Sequence, residues 1–142
     1  MGGIKRTTAD KHFSDAIRGA SDFICQRCQI DMKHNMGGID CSHIVTRKFR
    51  GVRWDTLNAL CLCRSCHTKM ADDPPGHAEL VKKIKGEEGY WELIRRKNQT
   101  VKIPKSEEKE IGKHYLSEVK RIQAKRNEGC MGYVEVNNWM DK

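Results

Sequence analysis

Two short strand-like runs, helical periodicity on both sides of them, and a Cys-x-x-Cys pair at each end of the strand region predict a small α+β fold. The pairs are Cys25 with Cys28 and Cys63 with Cys66, about 35 residues apart. Each presents two thiolates from one tight loop, and the chain between them returns to complete a tetrahedral zinc site. Of the 142 residues only 37% are hydrophobic and 32% are charged. The core is therefore thin, and a metal staple would supply part of the folding free energy.

Seven cysteines, with no apolar run after Met1-Gly2-Gly3-Ile4-Lys5-Arg6, suggest a reducing, cytoplasmic compartment. There, paired Cys-x-x-Cys motifs bind metal instead of forming disulfides. No stretch approaches the length of a membrane span, so no membrane partner is expected. Cys130, far from the other cysteines, reads as a plain tail residue.

The formal net charge of +8 is unevenly spread. Residues 41–69 carry a local +5 and residues 82–126 a local +7, whereas 1–40 is near balance and 70–81 and 127–142 are acidic. Arg47, Lys48, Arg50 and Arg53 crowd into seven residues. Neutralising phosphates is the most economical use of such a surface, which makes DNA the expected partner and these four residues its expected contacts. For the C-terminal block alone, a solvated lysine-rich helix face is the alternative reading.

The first element is a helix capped by Thr8 or Asp10, with Phe13, Ala16 and Ile17 as its apolar stripe and Gly19 at its end. It is expected to pack on the zinc core. Met36-Gly37-Gly38 signals a turn before a strand from Ile39 to Val45. Alternation puts Ile39, Cys41, His43 and Val45 on one face of it, and Asp40, Ser42 and Ile44 on the other. Residues 46–57 read as a basic loop, 58–62 as a second strand, and 64–70 as a helix with His67 in its first turns.

Asp72-Asp73-Pro74-Pro75-Gly76 marks a boundary. Three helices are expected beyond it, near 76–85, 88–97 and 106–126. The last repeats Ile111, Tyr115, Val119 and Ile122 on one stripe, with Ser106 as its candidate cap. Thr100 to Pro104 is an extended linker, and the last sixteen residues have no assigned structure. Three segments result: an N-terminal helix (1–24), a zinc-binding core (25–72) and a basic helical region (73–142).

Asp40-x-x-His43-Ile44 followed by Asn58-x-Leu60-x-Leu62-Cys63-x-x-Cys66-His67-x-Lys69 resembles the HNH endonuclease family in its zinc-supported form. The spacings, 15 from His43 to Asn58 and 9 from Asn58 to His67, are similar to the family's commoner pattern. Trp54-Asp55-x-Leu57-Asn58 and the basic C-terminal third also resemble phage-encoded members associated with genome processing and recombination.

The resemblance implies a ββα-metal fold and metal-dependent hydrolysis of DNA to 5′-phosphate and 3′-hydroxyl ends. With one catalytic set per chain, nicking is the default outcome for a monomer. It assigns His43 as the base that activates water, Asn58 as the residue that orients it, and His67 as a ligand to the catalytic divalent ion, Mg²⁺ or Mn²⁺. An imidazole with a solution pKa near ~6.5 is matched to taking a proton from water around neutrality.

The position before the base holds Ser42 where many members carry Asp or His. Asp40, two residues earlier on the same strand face, offers a carboxylate better suited to a hard cation, with Ser42 as second candidate. The residue pattern leaves the zinc ligands open in two places. His67 could complete a Cys₃His zinc site, and Cys61 shares a strand face with Cys63 and could reach the same ion. Cys41 and Cys61 otherwise read as core thiols. Phe49 and Trp54 could stack on DNA, although anchoring the loop suits Trp54 better. The rival from a different class is a zinc-ribbon DNA-binding module without catalysis.

Overall fold

The computed structural model describes residues 4–141. The first three residues of the expected N-terminal segment lie outside that range. Helix α1 spans Thr8–Ala20, so its cap lies one residue before Thr8 and three before Asp10, the two expected caps. Thr7 is the N-cap, accepting from the Asp10 backbone N–H, while the Asp10 carboxylate accepts in return from the Thr7 backbone N–H at 2.8 Å. Asp10 therefore closes a capping box from the N3 position.

Strands β1 (Ile39–His43) and β2 (Ala59–Cys63) form one antiparallel pair, with Ile39 opposite Cys63, Cys41 opposite Cys61 and His43 opposite Ala59. Every β2 residue is buried, which accounts for its unbroken apolar run. β1 stops two residues short of Val45, because the Asn58 side chain takes both backbone groups of that residue. The basic loop between the strands holds a single helical turn, α2 (Arg50–Arg53), and a 3₁₀ turn at Thr56–Asn58.

Helix α3 (Arg64–Ala71) leaves β2 directly, with the Cys63 sulfur accepting from the Cys66 N–H at its N-terminus. Pro74–Lys97 follows as α4, broken at Gly86, where φ is +84°, so that the two expected helices meet end to end. Only glycine adopts that backbone conformation without strain. Helix α5 (Lys105–Asn127) begins after Pro104 with no side-chain cap, and Ser106 lies inside it. Among the described residues no helix is long and apolar enough to cross a membrane.

One contiguous core joins all three segments, drawing on Phe13 and Ile17 of α1, Leu60 and Leu62 of β2, and Ile111, Tyr115 and Ile122 of α5. α1 packs most extensively against α5 and also against both strands, sharing one core with Cys25, Cys63 and Cys66. Phe13 meets Tyr115 edge-on at 4.9 Å, and the Tyr115 hydroxyl donates to the Trp54 carbonyl at 2.6 Å. The tail without an assigned structure is a strap. Val134 and Val136 are buried, the Val134 N–H donates to the Ala20 carbonyl, and Asn138 donates to the Asp55 carboxylate at 2.8 Å.

Candidate metal centre and polar cleft

The two Cys-x-x-Cys loops meet. The sulfurs of Cys25, Cys28, Cys63 and Cys66 lie within 4.8 Å of one another, and Cys28 Sγ is 3.8 Å from Cys63 Sγ. Four sulfurs at about 2.3 Å from a zinc ion stand roughly 3.8 Å apart at the corners of a tetrahedron, so the cluster could hold such an ion. Backbone N–H groups already point at the sulfurs, from Arg27 and Cys28 to Cys25 and from Cys66 to Cys63. Burial works against the Cys25 thiolate, but N–H donors from Cys28, Cys63 and Arg27 outweigh it and bring the thiol down to about 7. The Arg27 guanidinium adds a contact to Cys66 Sγ at 3.4 Å.

This geometry decides between the candidate zinc ligands. Cys61 faces Cys41 across the sheet, outside the cluster, and burial pushes both thiols up to about 12. His67 also stays outside the cluster. Its Nδ1 lies 3.0 Å from Asp40 Oδ2.

A cleft of about 810 Å³ runs along the open edge of β1. His43, Asp40 and His67 all line it, together with Arg6, Arg18, Arg47 and Arg64. Strand alternation separates Asp40 from His43, but β1 pairs on one side only, so both reach the groove beside its free edge. Ser42 is buried and does not line the cleft.

His43 Nε2 lies 3.1 Å from the Arg53 carbonyl oxygen. A carbonyl only accepts, so this contact assigns the ring proton to Nε2 and leaves the Nδ1 lone pair unprotonated in the neutral imidazole. Burial pushes the His43 pKa below its ordinary value, and the Arg47 and Arg53 charges act in the same direction. Asn58 is fully buried. Its Oδ1 accepts from the Val45 N–H at 2.6 Å, and its Nδ2 donates to the Val45 and Val52 carbonyls, both at 2.9 Å. One side chain thus clips the basic loop shut immediately before the carbonyl that holds His43.

Asp40 accepts from Arg64 on both oxygens, Nε to Oδ2 at 3.0 Å and Nη2 to Oδ1 at 3.2 Å. Burial raises its carboxyl, but Arg64 and His67 prevail and hold it below the usual carboxylate range.

The four basic-loop residues divide. Arg53 is buried, with its guanidinium on both carboxylate oxygens of Asp10, so it is not the surface contact that its charge suggests. Arg50 bonds the Ile103 carbonyl and Glu108, each at 2.9 Å. Arg47 lines the cleft, and Lys48 lies over the Phe49 ring. Trp54 is fully buried, with the Arg50 and Arg53 guanidinium groups 5.0 and 4.9 Å from its ring centroid, which fits an anchor of the loop.

Sequence reasoning missed the contribution of α1. Asp10, Ser14 and Arg18 recur at i, i+4 and i+8 and all line the cleft, a polar stripe whose spacing was legible beside the apolar one. The fold and cluster together define a small α+β protein with a four-cysteine cluster that could hold a metal ion. No protein-family model matches the chain, and no curated protein or solved structure is significantly similar to it.

Proposed function

We propose that the protein is a metal-dependent DNA endonuclease of the HNH type that nicks duplex DNA to 5′-phosphate and 3′-hydroxyl ends. The observation that carries this reading is the arrangement around His43. A partly buried imidazole is held through Nε2 by a backbone carbonyl, and Asn58 ties the loop that supplies it. An oriented, neutral imidazole with a free Nδ1 is what a general base for water requires.

The four arginines of the cleft favour a phosphodiester as substrate. Asp40 and His67 would hold a divalent ion. Their donor atoms stand 3.0 Å apart, and two ligands at about 2.1 Å around an octahedral centre are separated by roughly that distance. Such an ion, Mg²⁺ or Mn²⁺, would neutralise charge developing on the phosphate and leaving oxygen. His43 takes the proton from the attacking water at Nδ1, while Asn58 and the Arg53 carbonyl hold the ring and take no chemical step. The cysteine cluster, loaded with zinc, fixes the start of α3 and with it the place of His67.

The test is incubation of zinc-loaded protein with supercoiled plasmid in the presence of Mg²⁺, Mn²⁺ or a chelator. Conversion to the open circle with ion and none with chelator is expected. Binding of plasmid without nicking under every ion would favour the non-catalytic zinc-ribbon module instead.

A further inference from the structure

Arg64 occupies an unexpected place for a site that would bind a cation. It is the second residue of the Cys63–Cys66 loop, and its guanidinium grips the Asp40 carboxylate with two bonds while donating a third to the Gly37 carbonyl at 2.8 Å. Asp40 Oδ2 is shared between Arg64 and His67. A divalent ion seated on Asp40 and His67 would therefore meet a fixed positive charge on the same carboxylate, which lowers its affinity.

The other cleft arginines with a carboxylate partner have it elsewhere. Arg18 bonds Asp15 at 2.6 Å, and Arg47 approaches Asp10 at 3.6 Å. Arg64 alone among the described arginines of the cleft is bonded to Asp40, and its side chain is 67% exposed. It can swing without disturbing packing. Guanidinium forks bind phosphate as readily as carboxylate, so an incoming phosphodiester offers Arg64 an equivalent partner.

We propose that Arg64 couples ion binding to substrate binding: it neutralises Asp40 in the free protein and passes to a DNA phosphate when the duplex enters, which releases Asp40 to the divalent ion. The inference rests on the nuclease reading and adds to it. It makes the free protein a weak binder of divalent ions and the DNA complex a stronger one, and linkage requires the ion to strengthen DNA binding by the same factor. Hydrolytic capacity would then be assembled on substrate and not in its absence.

The experiment measures Mn²⁺ affinity by electron paramagnetic resonance on zinc-loaded full-length protein. All samples carry His43→Ala to prevent cleavage, with and without a short duplex, and the signal of duplex alone is subtracted. The duplex should tighten Mn²⁺ binding by about tenfold, within the range usual for coupled sites. Adding Arg64→Gln should tighten Mn²⁺ binding to the free protein several-fold and reduce the duplex effect to less than about twofold. Adding Asp40→Asn should abolish binding, which identifies the site being read. Saturable Mn²⁺ binding at Asp40 that is unchanged by Arg64→Gln, with the duplex effect intact, would overturn this inference and leave the nuclease reading standing. Tighter binding in Arg64→Gln with an undiminished duplex effect would overturn the transfer to phosphate. No Mn²⁺ bound by any sample would remove the ion site itself, and the nuclease reading with it.

Discussion

His43 Nε2 rests 3.1 Å from the carbonyl oxygen of Arg53, a residue whose own side chain is buried against Asp10 of α1. The orientation of one imidazole therefore depends on a loop carbonyl, a buried ion pair and the N-terminal helix that lines the same cleft. On the proposed function, His43→Ala should lower nicking by about 10²–10⁴-fold, while zinc content and duplex affinity stay near wild type. Cleavage at the wild-type rate in a plasmid assay would refute the assignment of the base.

Burial depresses the His43 pKa, and this has two consequences of definite sign. Activity that needs the neutral ring should persist below the ordinary histidine value, with the acid limb of kcat/KM falling under about pH 6.5. The unfolded chain binds this proton more readily than the folded one. The stability contribution is thus present above about pH 6.5 and is lost as pH drops through that value toward the lower folded pKa. Thermal midpoints followed across this window should decline less steeply in His43→Ala than in wild type.

Asp10→Asn should be far more damaging than its distance in sequence from the strands suggests. It leaves the Arg53 guanidinium buried without its counter-charge, a loss of about 3–5 kcal/mol by analogy with other broken buried pairs. Burial opposes the Asp10 charge, yet Arg53 and Thr7 hold its carboxyl below the ordinary carboxylate value. The pair therefore stabilises above the unfolded carboxylate pKa and is lost as pH falls through the folded one. Urea unfolding at neutral pH checks the magnitude, and a midpoint equal to wild type would contradict the role of the pair.

The cysteine cluster should contain about one zinc per chain. Cys28→Ser or Cys66→Ser, or strong chelation, should unfold or precipitate the protein, because a zinc ion bound there would supply part of the folding free energy. Metal analysis together with circular dichroism decides this. Full helical signal and an unchanged thermal transition in metal-free protein would count against it.

Duplex binding should weaken steeply with salt, and replacing Arg47 and Lys48 by Ala should flatten the slope of log affinity against log salt by about one to two. Arg53→Ala should act mainly on stability, because its guanidinium is turned inward. Equal slopes for wild type and the double variant would move the DNA contact away from this loop.

Much of the local structure was legible because short-range physics decides it. Apolar spacing marked α1, α4 and α5, α3 followed from its place straight after the second cysteine pair, and Gly86 stands at the break expected between two helices. The cysteine spacing anticipated the cluster, since two thiolates from one tight loop need no distant information to point the same way. Boundaries slipped where side chains intervened from elsewhere. Asn58 shortened β1 by taking the backbone groups of Val45, and Thr7 with Asp10 moved the start of α1.

By itself the sequence determined the α+β class and the pairing of two Cys-x-x-Cys loops that could share one metal ion, because residue type and spacing carry those directly. Which four sulfurs meet was decided by the fold. Only the tertiary structure decided which basic residues remain at the cleft and which are buried. Arg53 and Arg47 are near neighbours in the chain, yet Asp10, from a helix that packs on α5, draws one inward and leaves the other at the groove. Chain assembly also decided that the tail is a strap, since the Ala20 carbonyl at the end of α1 and the Glu118 and Arg121 side chains of α5 that hold its backbone come together only when the two helices are side by side. Burial and ion pairing depend on what arrives from distant sequence, and no local pattern encodes that.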